Sequence, residues 1–437
     1  MARDALEVAG GRLRFPACAA ALWACALAPP CWGSNGLNMI GFGAESVLMG
    51  GADAALARDT TALNTNPAGL AGSRGSRLDL FTGLARALDV GHADAFGNDL
   101  PVSNRWALIA GGGHTRPLAA GWFIGAGFFV QGGAGARFER LNTAFGTQDE
   151  LTALTGIAKA ALGLGWQASE QLSLGVSLSA VYAGSQQRVF PQTSLFDPTD
   201  VRRSFFGTRL DGASTLQPGL RWGLQWRPHA DWVLAAVAAP RVPLPLSGGT
   251  LTVNYGALGL GAVRYRSVRL DGLSLPREYT LGAAWQASPQ TLISVKVSRL
   301  AWARALADQT LEARAPDVAA APPVVRSTQR VQANDRTLVA WGLRQMLSPG
   351  VAVLAGFNRM RRPLFDASLS PLFAPIGENH LTFGLNLRPE TGAELTAGVE
   401  VLLPRQVRYN NPDLPFGRDT QARTHYVALH AMWSWRW

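Results

Sequence analysis

Beyond residue 31 the chain contains no cysteine: Cys18, Cys25 and Cys31 are all it has. A mature protein that starts later has no disulfide framework, no thiolate metal site and no cysteine nucleophile. Charge is scarce as well, at 16% Asp, Glu, Lys and Arg over 437 residues, against about 25% in an ordinary soluble protein. So little charge predicts an exterior that is not all water. After the amino terminus no apolar run reaches 18 residues, so any passage through a bilayer is by strands and not by helices. Catalytic punctuation is missing too: there is no G-x-S-x-G, no P-loop and no H-E-x-x-H. The six histidines show no metal-ligand spacing, and no cofactor or metal is expected. A barrel lipase built from Ser and His finds no motif to support it.

The amino terminus reads as a secretory signal. Arg12 and Arg14 precede the apolar run Phe15 to Ala28, and Pro29, Pro30 and the small residues near Gly33 follow it. Cleavage is expected near Gly33, so residues 1–33 are set aside from the fold. The run is shorter than the ~20 residues of a spanning helix.

What remains is rich in alternation. Leu220, Trp222, Leu224 and Trp226 repeat with period two, as do Leu172 to Leu178, Tyr279 to Trp285 and Leu381 to Leu387. The partner positions are mostly Gly, Ser, Ala and Thr. A soluble sandwich would place charge there, whereas a transmembrane barrel sets lipid-facing apolar residues against small or polar lumen-facing ones. Tight turns are predicted at Thr115–Ala119, Ala168–Gln171, Arg227–Asp231, Ala287–Gln290, Leu347–Gly350 and Arg388–Gly392. Long segments lie between them, at 87–103, 139–153, 189–212, 247–272, 303–336, 361–379 and 404–423. Six short turns and seven long loops make an all-β, antiparallel barrel of about 14 strands with both ends on the short-turn side. Thr250 to Leu270 is assigned to an extended loop, although it has room for a strand pair. The last strand, Val427 to Trp437, has one apolar face ending on an aromatic. Such a strand resembles the signal by which outer-membrane barrels reach their assembly machinery.

Ser34 to Arg74 has no period-two pattern. It contains Gly41, Glu45, Ser46, Met49-Gly50-Gly51-Ala52, Ala57-Arg58-Asp59-Thr60 and Asn66-Pro67-Ala68-Gly69-Leu70. These closely resemble the N-terminal hatch of the FadL/TodX family of outer-membrane transporters for hydrophobic compounds. Leu275-Pro276 with Tyr279-Thr280-Leu281-Gly282, and Pro371 through Pro375 to His380-Leu381-Thr382-Phe383-Gly384, extend the likeness over the mature chain. The resemblance implies a signal at 1–33, a hatch at 34–75 and a barrel at 76–437. It also implies passive uptake of long-chain fatty acids or aromatic hydrocarbons across a Gram-negative outer membrane, with lateral release through a kinked strand. The alternative is a general porin or an adhesive barrel with a polar lumen.

Candidate site residues follow. Asn66, Pro67, Ala68 and Gly69 match the hatch motif, and Leu37, Met39 and Ile40 lie where family members place their N-terminus in the lumen. In the third strand Trp122, Ile124, Ala126, Phe128 and Val130 fit the lipid face, so Phe123, Gly125, Gly127, Phe129 and Gln131 point inward. Phe123 and Phe129, with Leu37 and Met39, are the predicted apolar ligand contacts. Gly132, Gly133 and Gly135 then break the alternation, as a lateral-exit kink or as relief of crowding against the hatch.

The formal charge is +10, and all 40 basic residues except Lys159 and Lys296 are arginine. Arg202, Arg203, Arg264, Arg266, Arg361 and Arg362 fall in predicted loops, where they meet lipopolysaccharide phosphates or water. Lys159, Arg221 and Arg344 fall on predicted inward positions and are candidates to neutralise a ligand carboxylate. Dispersed charge without a recognition module gives no support to nucleic-acid binding.

Overall fold

The fold comes from a computed structural model that describes residues 35–73, 75–200, 203–389 and 392–437. The predicted signal with its three cysteines lies outside the described residues, as do Ser34, Arg74 and Arg202.

Fourteen antiparallel strands close into a ring. They are β1 (Arg77–Ala87), β2 (Trp106–Ala119), β3 (Trp122–Asn142), β4 (Gln148–Gln167) and β5 (Leu172–Leu195). β6 (Phe205–His229), β7 (Trp232–Ala239), β8 (Glu278–Gln286), β9 (Thr291–Leu300) and β10 (Arg336–Ser348) follow. β11 (Val351–Met360), β12 (Asn379–Leu387), β13 (Ala393–Tyr409) and β14 (Thr420–Arg436) complete the set. β1 pairs with β14 from Arg77 opposite Arg436 to Ala87 opposite Tyr426, which leaves the barrel without an open edge. Both described ends of the ring lie on the short-turn side.

The period-two faces come out as the sequence orders them. Leu162, Leu178, Leu281, Tyr279, Phe383 and Leu429 project outward, Leu281 at 67% exposure. No described helix is long and apolar enough to cross a membrane, and this belt is the surface that a bilayer covers on a transmembrane barrel. At the short-turn edge Trp122 stacks on Trp166 and Trp232 on Trp285, and Trp433, Trp435 and Trp437 are exposed at the end of the last strand. Rings amphipathic enough for a membrane interface gather at one level, as in the aromatic girdles of such barrels.

Three boundaries differ from the sequence reading. β2 runs through Ala119, so the first tight turn falls at Ala120 and Gly121, where φ is +74°. β3 to β6, β13 and β14 extend well past the belt, so three of the expected long loops shrink to 143–147, 196–204 and 410–419. Their upper inner faces bury Phe138, Leu141, Leu151, Phe190 and Phe416 together, and this packing carries the strands on. Thr250 to Leu270 is not a loop. Thr250–Tyr255 pairs with both β6 and Gly261–Leu275, because Leu251, Val253, Tyr255, Val263 and Tyr265 alternate into a common core. Gly261–Leu275 in turn pairs with Leu306–Pro316, so the long-loop end of the barrel is a folded cap with Trp302 fully buried inside it.

Candidate functional site

The lumen is filled by residues 35–73. After an Asn35–Asn38 turn come the helix α1 (Gly43–Leu48) and two 3-10 turns, Thr60–Leu63 and Pro67–Gly72. Each short turn has a reason in its sequence. Asp59 caps the first by accepting from the Thr61 N–H, and Asn66 caps the second by accepting from the Ala68 N–H, with Pro67 at its first position.

The wall is shaped for this plug. An added Cβ at Gly175 would lie 2.2 Å from the Pro67 carbonyl carbon, one at Gly223 1.9 Å from Asn66 Oδ1, and one at Gly356 2.1 Å from Gly50 N. Wall side chains also reach in. Asn358 Nδ2 donates to Gly50 O at 2.8 Å, Thr382 Oγ1 to Leu48 O at 2.8 Å and Ser294 Oγ to Ala52 O at 2.7 Å. Asn66 Nδ2 donates to Ala54 O at 2.8 Å and to Leu224 O at 3.2 Å, so it joins hatch to wall. Pro67, Ala68 and Gly69 are buried beside it, Gly69 against Ala57.

Charge reinforces the seal. Lys296 Nζ meets Asp53 at 2.8 Å, while Asp53 also accepts from Ser46 Oγ. Arg58 meets Glu45 at 2.8 Å. Burial opposes ionisation of Glu45, but Arg58 and then Arg344 outweigh it and hold the carboxyl down at about 2. Asp59 goes the other way. Burial, with Asp79 nearby and despite Arg77, raises it to about 6.

β3 holds the irregularity that its glycines foretell. Its pairing with β4 slips between Val130 and Gly132, and φ at Gly132 is +142°, a backbone open to glycine and costly for other residues. Its pairing with β2 stops at Gly111 opposite Phe129, whereas β2 continues on its other side to Trp106. Contact resumes where Ser103 N donates to Arg137 O at 2.8 Å. The result is a bounded window in the wall between residues 105–110 and 130–136. Val130, expected to face lipid, keeps its pairing with Ala158 but is buried there with Ile109, beside Phe128 and Met39, just before the slip.

The N-terminal segment lies across the inside of this window as a short extra strand. Gly133 N donates to Leu37 O at 3.0 Å, Asn38 bridges to Gly132, and Met39 N donates to Gln131 O at 3.4 Å. A Cβ at Gly132 would sit 2.1 Å from Leu37 O, so both readings of the glycines, kink and relief of crowding, describe the same contact.

The four predicted apolar contacts belong to three clusters. Leu37 enters the cap core, and Met39 packs at the window. Phe129 is fully buried between Phe42 of the hatch and Phe81 of β1, at ring distances of 6.2 and 6.1 Å, and half-buried Phe123 packs on the same cluster. The three basic candidates all point inward. Arg221 meets Glu278 at 2.9 Å, Arg344 donates to the neutral Asn386 at 3.0 Å, and Lys159 donates to the neutral Asn64 at 3.2 Å. Arg221 and Lys159 share a polar chamber with Gln131, Ser177, Ser179 and Glu278, while Arg344 stands apart beside Glu45.

Sequence reading missed one buried constellation. Glu400 of β13 has His380 Nδ1 at 2.8 Å and His430 Nε2 at 2.9 Å, and accepts from Tyr426 OH at 2.9 Å. Only strand register brings these residues together, so no spacing along the chain announces them. A metal would need three such ligands converging on one point, and no described group does so.

The barrel resembles solved structures along its length. It is similar to the toluene transporter TodX of Pseudomonas putida, with 18% identity, 92% of this chain and 99% of that chain covered, and a TM-score of 0.74. The toluene transporter TbuX of Ralstonia pickettii matches at 17% identity, with the same coverage and a TM-score of 0.72. A FadL homologue of Pseudomonas aeruginosa matches at 14%, again over 92% and 99%, with a TM-score of 0.71. The chain therefore has the fold of FadL/TodX-type channels. Neither a protein-family model nor a curated protein matches its sequence.

Proposed function

We propose that this hatch-filled barrel admits hydrophobic small molecules passively through a Gram-negative outer membrane and releases them sideways through the window between β2 and β3. One observation carries the reading. The lumen is stoppered along its axis by hydrogen-bonded backbone, while the wall opens at a bounded, apolar place between β2 and β3. A polar solute gains nothing from an exit that faces a bilayer. For an apolar one that route avoids the desolvation problem of a water-filled pore.

In this reading Asn66, Pro67, Ala68 and Gly69 lock the hatch in the wall. Gly132, Gly133 and Gly135 give β3 its bend, and Leu37 and Met39 form the shutter that must shift for cargo to pass. Phe123 and Phe129 keep water from running between hatch and wall. Among the basic candidates Lys159 and Arg344 both donate to neutral amides, and Lys159, which lines the polar chamber while Arg344 lies beside Glu45, is the candidate for a ligand carboxylate. The long-loop end faces outward, toward lipopolysaccharide, and the strand ending at Trp437 is the one offered to the assembly machinery.

The test is conductance together with ligand binding. Removing Ser34 to Arg74 is expected to open an ion-conducting pore in planar bilayers, and the intact refolded barrel is expected to bind a neutral fluorescent hydrocarbon probe saturably. A folded barrel that binds no apolar probe, or whose conductance ignores the deletion, is a general or adhesive barrel instead.

A further inference from the structure

The outer wall carries a trough that the transport reading does not use. Where β7 faces outward its side chains are short: Ala236 lies opposite Leu224 of β6 and Leu281 of β8, and Ala238 lies opposite Trp222 and Tyr279. Trp222 stands exposed on one bank and Tyr279 and Leu281 on the other, so the two alanines floor an apolar trough along β7. Its banks are strands about 9.5 Å apart, twice the usual spacing. On a bilayer-facing wall a lipid chain fills such a trough, because a gap would forfeit dispersion contacts on one side.

Arginines close its long-loop end. Arg299 lies opposite Tyr279 and lines the trough, and Arg277 immediately precedes β8, its carbonyl accepting from Ala301 N at 2.9 Å. Arg241 follows β7 and donates to Arg304 O at 2.8 Å. All four side chains are exposed. Among the described residues their carboxylate partner is Asp335, 3.9 Å from Arg299 and already accepting from Ala303 N. Four guanidiniums against one carboxylate suit a phosphate, which such a group grips with two parallel bonds.

Height on the wall decides which lipid. Arg241 is nine positions from Trp232, Arg277 nine from Gln286 and Arg299 eight from Thr291, the residues that flank the short turns. At about 3.3 Å per residue and a tilt of about 40° that is roughly 20–23 Å of height, near the top of an apolar band about 25 Å tall. A phospholipid of the inner leaflet would carry its phosphate at the opposite edge, where Trp232 and Trp285 stack. Resting on the outward placement of the long-loop end given above, we propose that the β6–β9 face docks lipid A, the phosphorylated glycolipid of the outer leaflet. One acyl chain lies on Ala236 and Ala238, and a phosphate is held by Arg241, Arg277, Arg299 and Arg304. On the wall β4 and β5 separate this site from the window, so it leaves the cargo path untouched.

The experiment is native mass spectrometry of the refolded full-length barrel in dodecyl maltoside, titrated with bisphosphorylated lipid A, with the same lipid stripped of its phosphates, and with phosphatidylglycerol. Saturable binding of lipid A is expected, and loss of its phosphates should weaken binding at least about tenfold, the factor that corresponds to about 1.4 kcal/mol. The double variant Arg277→Gln, Arg299→Gln should weaken lipid A by a similar factor. Ala238→Phe blocks the trough without changing charge and should do the same. Arg264→Gln with Arg266→Gln, on the exposed face of the cap, should leave lipid A binding unchanged. If one trough variant fails to fold, judged by heat-modifiable migration on a gel, the other still decides. The proposal is overturned if the folded parent binds no lipid A, if the folded trough variants bind it as the parent does, if the cap pair weakens it as much as the trough pair, or if phosphatidylglycerol binds as tightly. Each of these results leaves the transport reading standing, because that reading is judged by apolar-probe binding and by removal of the hatch.

Discussion

Gly223→Ala tests whether the hatch is held by a fitted notch. The new Cβ would fall 1.9 Å from Asn66 Oδ1 and 2.9 Å from Pro67 Cδ, so the Asn66 side chain must leave. It takes with it the bonds to Ala54 O, Leu224 O and Ala68 N. At a net of about 1 kcal/mol for each, the attachment weakens by about 3 kcal/mol. With 1.36 kcal/mol for each factor of ten, the opened hatch becomes roughly 150-fold more populated. Hydrogen exchange read by mass spectrometry on peptides covering residues 54–70 of the refolded barrel should accelerate by about that factor. Gly175→Ala should be at least as severe, since its Cβ would strike the Pro67 backbone at 2.2 Å, which cannot swing away as a side chain can. Gly156→Ala is the control. It lies on β4, where an added Cβ meets nothing within 4 Å. Equal exchange rates in Gly223→Ala and Gly156→Ala, both folded, would refute the notch.

Further outcomes follow from the same contacts. Phe129→Ala removes a fully buried ring from between Phe42 and Phe81 and should cost about 3–5 kcal/mol in urea unfolding, clearly more than Phe123→Ala at its half-buried site. Equal losses from the two would argue against the Phe129 clamp. Asp59 has its folded pKa raised from the ordinary 3.8 to about 6, so the bound hatch holds its proton more tightly than a released one. Hatch attachment through this group therefore weakens as pH rises from about 4 to about 6 and stays weakened above. Asp59→Asn keeps an oxygen for the Thr61 N–H, and it should slow hydrogen exchange at residues 59–65 at pH 7 and lose that advantage below about pH 4. Glu400→Gln turns one accepting oxygen into a donor facing a cluster of donors. It should lower the urea midpoint by an amount equivalent to about 3 kcal/mol or more, and an unchanged midpoint would mean the cluster is not a unit.

The ring was legible because a lipid-facing strand leaves a coarse mark. Leu281, Phe383 and Leu429 must be apolar whatever their neighbours are, and Gly and Ser fill the positions between. The upper strands were harder, since there the outer face returns to water while the inner face meets other loops. Alternation in Val189 to Gly212 therefore fades although β5 and β6 run on to Leu195 and back from Phe205. The hairpin within Thr250 to Tyr265 shows alternation that was present but had no turn of familiar type to frame it. Arg221 and Lys296 were unreadable for another reason. Their partners Glu278 and Asp53 come from a distant strand and from the hatch, and only the closed ring sets them face to face.

The inward glycines show most sharply why the plug had to be inferred from its own sequence and not from the wall. Gly175, Gly223 and Gly356 look the same in a strand pattern whether they leave room for water or for a hatch. The difference lies in what stands opposite. Each faces backbone or an amide of residues 50–67 at a distance that no side chain tolerates, and the hatch carbonyls of Leu48, Gly50 and Ala52 accept hydrogen bonds from Thr382, Asn358 and Ser294 of the wall. Removing space and removing partners are separable operations on one joint, because Gly356→Ala pushes Gly50 while Asn358→Ala releases it. A wall that only needed to be wide would respond to neither. The same reasoning supports the proposed route: the axis is closed by a joint built from both chemistries, and β3 parts from β2 beside Leu37 and Met39, where sideways release is proposed.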